Sequence, residues 1–232
     1  AGFIYGDAAT GGVLANYNNV ISGDGNIGGG AGALRLVNLA GGVINATGPD
    51  GLSILTGSLV SNYGLMEATN PFGLNTTGGL TINDSVYNVG TIFADGGDVH
   101  ILGALSGSGT IEIGAGSTAT LDGAATNSVT FAGAGELVLN KSTGLSGAVS
   151  GFGADDTIDF GDFAAAYTTI SQISGTGAAG TTTNITLTDV DPSLGHSVSA
   201  TLHLLNQFDG QYGTSASDYA LSADAQATPG TL

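Results

Sequence analysis

The stretch Tyr87–Gly116, YNVGTIFADGGDVHILGALSGSGTIEIGAG, sets down the phrase Gly-Thr-Ile twice, at Gly90 and Gly109, 19 residues apart. Each copy is a short run of β-formers fenced by glycines. Glycine takes up positive φ at no steric cost, so the stretch reads as short strands divided by tight corners. Extending the phrase to Gly-x-[Ile/Met/Leu] gives GNI at Gly25, GVINA at Gly42, GLMEA at Gly64, GTIFA at Gly90, GTIEI at Gly109 and GELVL at Gly135. The intervals are 17, 22, 26, 19 and 26 residues. Three copies carry an asparagine just upstream: Asn38, Asn62 and Asn88. Second short strands lie between them: LSILTG from Leu52, LTIND from Leu80, DVHILG from Asp98 and TATLDG from Thr118.

A period of about 20 residues holding at least two short strands is the mark of a β-solenoid, each repeat forming one coil. Alternation of Ile111 and Ile113 with Glu112, and of Leu137 and Leu139 with Val138, fits strands with one face inward. Asparagines stacked at a corner can bond one another from coil to coil as a ladder. The phrase alignment places Ile44, Met66, Ile92, Ile111 and Val138 inward, one above another. An antiparallel sandwich is the competing architecture, and the unequal intervals then require loops to bulge from some coils of a solenoid.

Composition narrows the class. The chain has 232 residues with 42 glycines, 4 prolines, and neither cysteine nor tryptophan. Glycine without a Gly-X-Y period excludes collagen, and 41% hydrophobic residues exclude a disordered chain. Nineteen acids face two bases, Arg35 and Lys141, for a net charge of −17. Phosphate backbones are held by clustered Lys and Arg, so nucleic-acid binding is excluded, and so is a basic patch for anionic lipid. No apolar run approaches the ~18 residues of a membrane helix. Without cysteine there is no disulfide and no thiolate metal site. The first residues, AGFIYGDAATGG, have no basic segment followed by an apolar one. Acidity and lack of thiols suit a secreted, extracellular protein.

Three regions follow: residues 1–19 as an N-terminal strand and linker, 20–162 as solenoid repeats, and 163–232 as a β-rich C-terminal cap or final coils. From residue 163 the Gly-x-Ile phrase gives way to Thr/Ser-rich runs such as TTTNITLTDVD, HSVSATLHLLNQF and YALSADAQ. A cap is expected because a solenoid end exposes unpaired backbone and an apolar cross-section. The stretch Gly175–Thr183, GTGAAGTTT, reads as a hairpin loop.

The segments NLAGGVINATGPDGLSILTG and SNYGLMEATNPFGLNTTGG resemble the Asn-x-Gly-x-Ile-x-Ala repeats of autotransporter passengers and filamentous-haemagglutinin-type adhesins. The block from Leu105 to Phe160, with GSGTIEI, SVTFAG and SGFGADDTIDF, is similar to the C-terminal unit of β-strand-repeat surface proteins of alphaproteobacteria. The resemblance spans about Asn38 to Phe163. It implies an extracellular right-handed parallel β-helix and does not imply catalysis.

Chemistry-bearing residues are few. Asp155, Asp156, Asp159 and Asp162 fall within GADDTIDFGDF. Carboxylates at a glycine turn suit Ca²⁺, which takes oxygen ligands, so this is a candidate calcium site against the plainer reading of a solvated acidic corner. Asp189 and Asp191 form a second, weaker candidate. No other cofactor is required. His100, His196 and His203 are the histidines, and His196 with His203 would bind a transition metal only if folding joined them. A polysaccharide lyase needs a cation and a base at one place; a glycosidase needs two carboxylates at a set separation. With no nucleophile elbow, phosphate loop or His-Glu-x-x-His motif, the expectation is a non-enzymatic structural protein of a bacterial surface. Its partners would be itself or other surface components, with glycan binding as the first alternative and polysaccharide degradation as the second. The apolar N-terminal AGFIYGDA reads as a strand able to add to a neighbour's edge.

Overall fold

The computed structural model describes residues 2–7, 9–29, 34–69, 78–175 and 182–205. These residues form a parallel β-solenoid of about seven turns. Each complete coil carries three strand positions, one more than the minimum the sequence required. In chain order β1 (Gly2–Ile4) precedes a first coil of β2 (Gly12–Asn16), β3 (Val20–Gly23) and β4 (Gly25–Gly28). Coil two is β5 (Leu34–Asn38), β6 (Val43–Ala46) and β7 (Leu52–Leu55); coil three is β8 (Val60–Asn62), β9 (Leu65–Ala68) and β10 (Gly79–Ile82). Coil four is β11 (Val86–Asn88), β12 (Thr91–Ala94) and β13 (Asp98–Ile101); coil five is β14 (Leu105–Ser106), β15 (Thr110–Ile113) and β16 (Thr118–Leu121). In the last two coils the first position shrinks to isolated bridges at Ala125 and Leu145. Their other strands are β17 (Ser128–Phe131) with β18 (Glu136–Leu139), and β19 (Ala148–Ser150) with β20 (Thr157–Phe160). Sheet I stacks the first positions, sheet II the second and sheet III, which includes β1, the third.

The core is a set of vertical stacks. In sheet II, Ile21, Ile44, Met66, Ile92, Ile111, Val129 and Val149 lie in direct register. From Ile44 to Val149 these residues have no exposed surface. Burying each such side chain is worth about 1.5–3 kcal/mol. Val138 departs from the sequence expectation. It lies in sheet III, in register with Thr120 and Asp159, and faces outward while Leu137 and Leu139 are buried. GNI at Gly25 and GELVL at Gly135 likewise belong to sheet III. The phrase occurs on two sides of the coil because both sides need the same inward-outward alternation after a corner glycine. The true sheet II steps, from Ile44 through Met66, Ile92, Ile111 and Val129 to Val149, are 22, 26, 19, 18 and 20 residues.

The two ends differ. After β20 the chain forms an antiparallel meander of β21 (Thr168–Ser174), β22 (Thr182–Asp189) and β23 (Val198–Leu205), and β23 pairs in parallel with β19 to prolong sheet II. Ile185, Leu187, Ala200, Leu202 and Leu204 are buried with Phe163 in the continuous core, and β23 also packs on the 3-10 turn Ser142–Gly144 of the last coil. Most of the GTGAAGTTT loop and all of YALSADAQ lie outside the described residues. At the other end, β1 pairs in parallel with β4 of its own chain, and β2 and β3 are edge strands. The described residues of 1–19 thus supply two strands. Among the described residues no helix is long and apolar enough to cross a membrane.

Candidate functional site

Where sheets I and II meet, every coil of the first four ends its first strand in asparagine. Asn16 Nδ2 donates to Asn38 Oδ1 at 2.9 Å, Asn38 Nδ2 to Asn62 Oδ1 at 2.8 Å and Asn62 Nδ2 to Asn88 Oδ1 at 2.8 Å. The second hydrogens reach main-chain oxygens one coil on: Val43, Leu65 and Thr91. All four side chains are buried, at 2% exposure or less. A buried amide without partners is costly, and a fully bonded network fixes one register. The glycine after the asparagine follows from this packing. A Cβ at Gly42 would lie 2.4 Å from Asn38 Oδ1, and one at Gly64 2.9 Å from Asn38 Nδ2.

Acidic residues join coil to coil in a second way, which the sequence did not disclose. Asp156 Oδ1 accepts from Gly135 N–H at 3.0 Å, one coil back, and Oδ2 from Gly153 N–H at 2.7 Å. Asp162 accepts from Ser142 N–H at 2.9 Å and from its hydroxyl. Asp98 accepts from Thr118 N–H, and Asp84 from the N–H groups of Thr56 and Gly57. Asp189, 1% exposed, accepts from Ala164 N–H and Asp191 N–H, both at 2.8 Å, tying the meander to its lead-in. Asp191 caps the short 3-10 turn through Ser193 N–H. A carboxylate that accepts main-chain N–H groups is fixed in place and makes strong charge-assisted bonds.

The candidate calcium residues are therefore spread along one coil. Asp155 and Asp156 share the turn before β20, Asp159 stands outward and half-buried on that strand, and Asp162 follows it toward Ser142. Among the described residues no three His, Asp or Glu side chains gather as a metal-ligand group. The histidines also have separate settings. His100 Nε2 lies 3.0 Å from Asp122 Oδ2, and Asp122 Oδ1 accepts from Asn140 Nδ2 at 2.7 Å. His196 Nδ1 lies 2.8 Å from Leu194 O, while His203 Nδ1 is 2.6 Å from Asn184 Oδ1.

Two carboxyls have displaced titrations. At Asp7 the N–H of Thr10, then that of Ala9 and the Thr10 hydroxyl, hold the group below its ordinary value. At Glu67, burial and then the charge of Asp95 push the carboxyl up.

The most distinctive surface runs beside the ladder. The residue after each asparagine points outward, and Leu39, Tyr63 and Val89 donate their N–H groups to Asn16, Asn38 and Asn62 oxygens respectively. Tyr17, Leu39, Tyr63 and Val89 thereby form one vertical row, of which Tyr17, Tyr63 and Val89 are exposed. Tyr87, exposed on β11, meets Tyr63 edge-on with ring centroids 6.2 Å apart. Arg35 stands outward on β5 of the same sheet, in register with exposed Val13. Of the other described tyrosines, Tyr5 sits beside β1, stacked on Phe3, and Tyr167 lies before the meander.

No family model matches the chain, and no curated protein or solved structure matches it.

Proposed function

We propose that this chain is an extracellular structural scaffold of a bacterial surface or matrix, a stiff solenoid rod that associates with itself along its sides and performs no catalysis. The observation that carries this reading is the row Tyr17–Leu39–Tyr63–Val89, which crosses four coils held in fixed register by the buried ladder. Aligned exposed apolar side chains mark an interaction surface, and a laddered stack presents them at the ~4.8 Å strand spacing without rearrangement. The resemblance of the repeats to those of bacterial surface proteins favours the same setting. A charge of −17 opposes association between copies, so salt or calcium should promote it by screening.

Sedimentation velocity at low and high ionic strength, with calcium or chelator, tests the reading. Assembly that grows with salt and is lost in Tyr63→Ser/Tyr87→Ser supports it; a monomer under every condition refutes it. A second reading, a glycan-binding adhesin domain, is favoured by the Tyr63–Tyr87 pair, because aromatic faces stack on sugar rings. Binding to a glycan panel that is abolished by the same double substitution, without assembly, would select that alternative.

A further inference from the structure

The bonds from one asparagine side chain to the next all run one way along the ladder. Each side-chain carbonyl oxygen accepts from the asparagine one coil nearer the N-terminus. Two buried ladder oxygens, Asn16 Oδ1 and Asn127 Oδ1, have no hydrogen-bond partner among the described residues. Their circumstances match the rule. Ahead of Asn127 the ladder position is Gly107, which has no side-chain amide to offer, and Asn16 lies on the edge strand of sheet I. The edge is apolar as well: Val13 and Val20 are 66% and 64% exposed. Ile4, Leu14 and Ile21 are only partly covered, whereas their stack mates Ile27, Leu36 and Ile44 are buried. Sheet III nevertheless reaches one strand further than the others, since β1 lies on β4. By position β1 is the third strand of a coil whose first two strands would fall on β2 and β3.

We infer that the β2–β3 end of the solenoid is a seat for one further parallel coil, which runs into β1 and carries an asparagine above Asn16. That asparagine would donate Nδ2–H to Asn16 Oδ1 as every interior rung does, and its strands would pair with the β2 and β3 edges. A second copy of this fold does not supply the donor. Asn16 Nδ2 is already committed to Asn38 Oδ1 and Val43 O, so two such ends would set carbonyl against carbonyl. The opposite end is prolonged by the meander, and the residue that follows Asn127 in the ladder is Gly147, whose Cβ would strike Asn127 O. This inference goes beyond the lateral association proposed above.

The chain itself provides the probe. Gly2 and Leu52 both pair with Gly25, so a copy of residues 34–51 fused directly ahead of Gly2 delivers one further coil in native register, with Asn38 of the copy above Asn16. The fusion should raise Tm by about 2–4 °C per hydrogen bond's worth of stabilisation, and amide exchange at residues 13–16 and 20–23 should slow while Ile111 is unchanged. The same fusion with Asn38→Leu in the added copy should forfeit the Tm increment of the ladder bond. Edge amides that exchange as in the parent, or a leucine copy that stabilises as fully as the asparagine copy, would overturn the inference. Sedimentation behaviour, which reads the lateral row, enters neither outcome.

Discussion

Asn127 Nδ2 donates across a whole coil to Asn88 O, 3.1 Å away, because Gly107 stands at the ladder position between them. Gly107 has φ +105°, and a Cβ there would come within 2.2 Å of Asn88 O. The ladder therefore skips a rung, and Asn62 and Asn127 are unequal in what their loss would expose. Asn62→Leu strips the donor from Asn88 Oδ1 and Thr91 O and an acceptor from Asn38. Each buried group left unsatisfied costs about 1–3 kcal/mol. Asn127→Leu deprives only Asn88 O, which keeps the N–H of Gly109. Urea denaturation should place the Asn62→Leu midpoint well below that of Asn127→Leu.

Register supplies a second comparison. Ile92 is fully buried between Met66 and Ile111, whereas Val138 faces outward. Ile92→Asp should cost several kcal/mol, as an unpaired buried carboxylate does, and Val138→Asp should stay within about 0.5–1 kcal/mol of the parent. Equal losses in denaturant would contradict the sheet assignment.

Glycines in the corners separate into two kinds. A Cβ at Gly90 would lie 2.1 Å from Gly64 O, while at Gly57, with φ +69°, nothing among the described residues lies within 4 Å. Gly57→Ala should lose only about 1–2 kcal/mol for its left-handed backbone. Gly90→Ala should lose more, since two main chains must part. Thermal melts of the pair check the order.

Calcium remains a proposal with a sharpened test. Asp156→Asn should lower Tm with and without calcium alike, because an amide NH₂ would face either Gly135 N–H or Gly153 N–H. A calcium-specific gain, expected by mass action if the ion binds, should instead be read on exposed Asp155. Asp155→Asn should then reduce the gap between melts in calcium and in chelator. Coincident melts of the parent in the two conditions would end the calcium reading.

Glu67 gives a pH dependence of definite sign. Its folded value is raised above 4.5, so the folded protein holds this proton more firmly than the unfolded chain. Its contribution to stability is fully present below 4.5 and is lost as pH rises through the raised value. Glu67→Gln stays neutral and keeps an oxygen for Asn45 Nδ2, which Glu67 accepts at 2.6 Å. Tm of the variant should fall less than that of the parent across this interval, with a small difference because Glu67 is partly exposed.

The solenoid was legible because inward positions repeat at every corner: Ile44, Met66, Ile92 and Ile111 were each flagged by a preceding glycine and stack as the phrase implies. At Gly135 the phrase also marks an inward residue, Leu137, two after the glycine and fully buried, whereas Val138, one position further on, faces outward, and the strand belongs to sheet III instead of sheet II. Which side of a coil a strand occupies depends on the length of the connections, and 18 to 26 residues per step leaves that open. The asparagine ladder was readable from Asn38, Asn62 and Asn88; its extension to Asn16 was not, because no Gly-x-Ile phrase follows closely. The roles of Asp156, Asp162 and Asp189 were opaque for a physical reason. Each also accepts from a main-chain N–H group about 20 residues away or more, and a sequence gives no sign of which distant N–H is left free.

The unlike ends give the molecule a direction under load. Nearest-neighbour stacks lose coils one at a time, and β23 locks the C-terminal end to β19 while β2 and β3 have a sheet neighbour on one side only. A pull on the termini should therefore peel the rod from its N-terminal edge, in steps of one coil's contour length. Extension traces from single molecules would record a sawtooth that starts at the weakest rung and stiffens toward the meander.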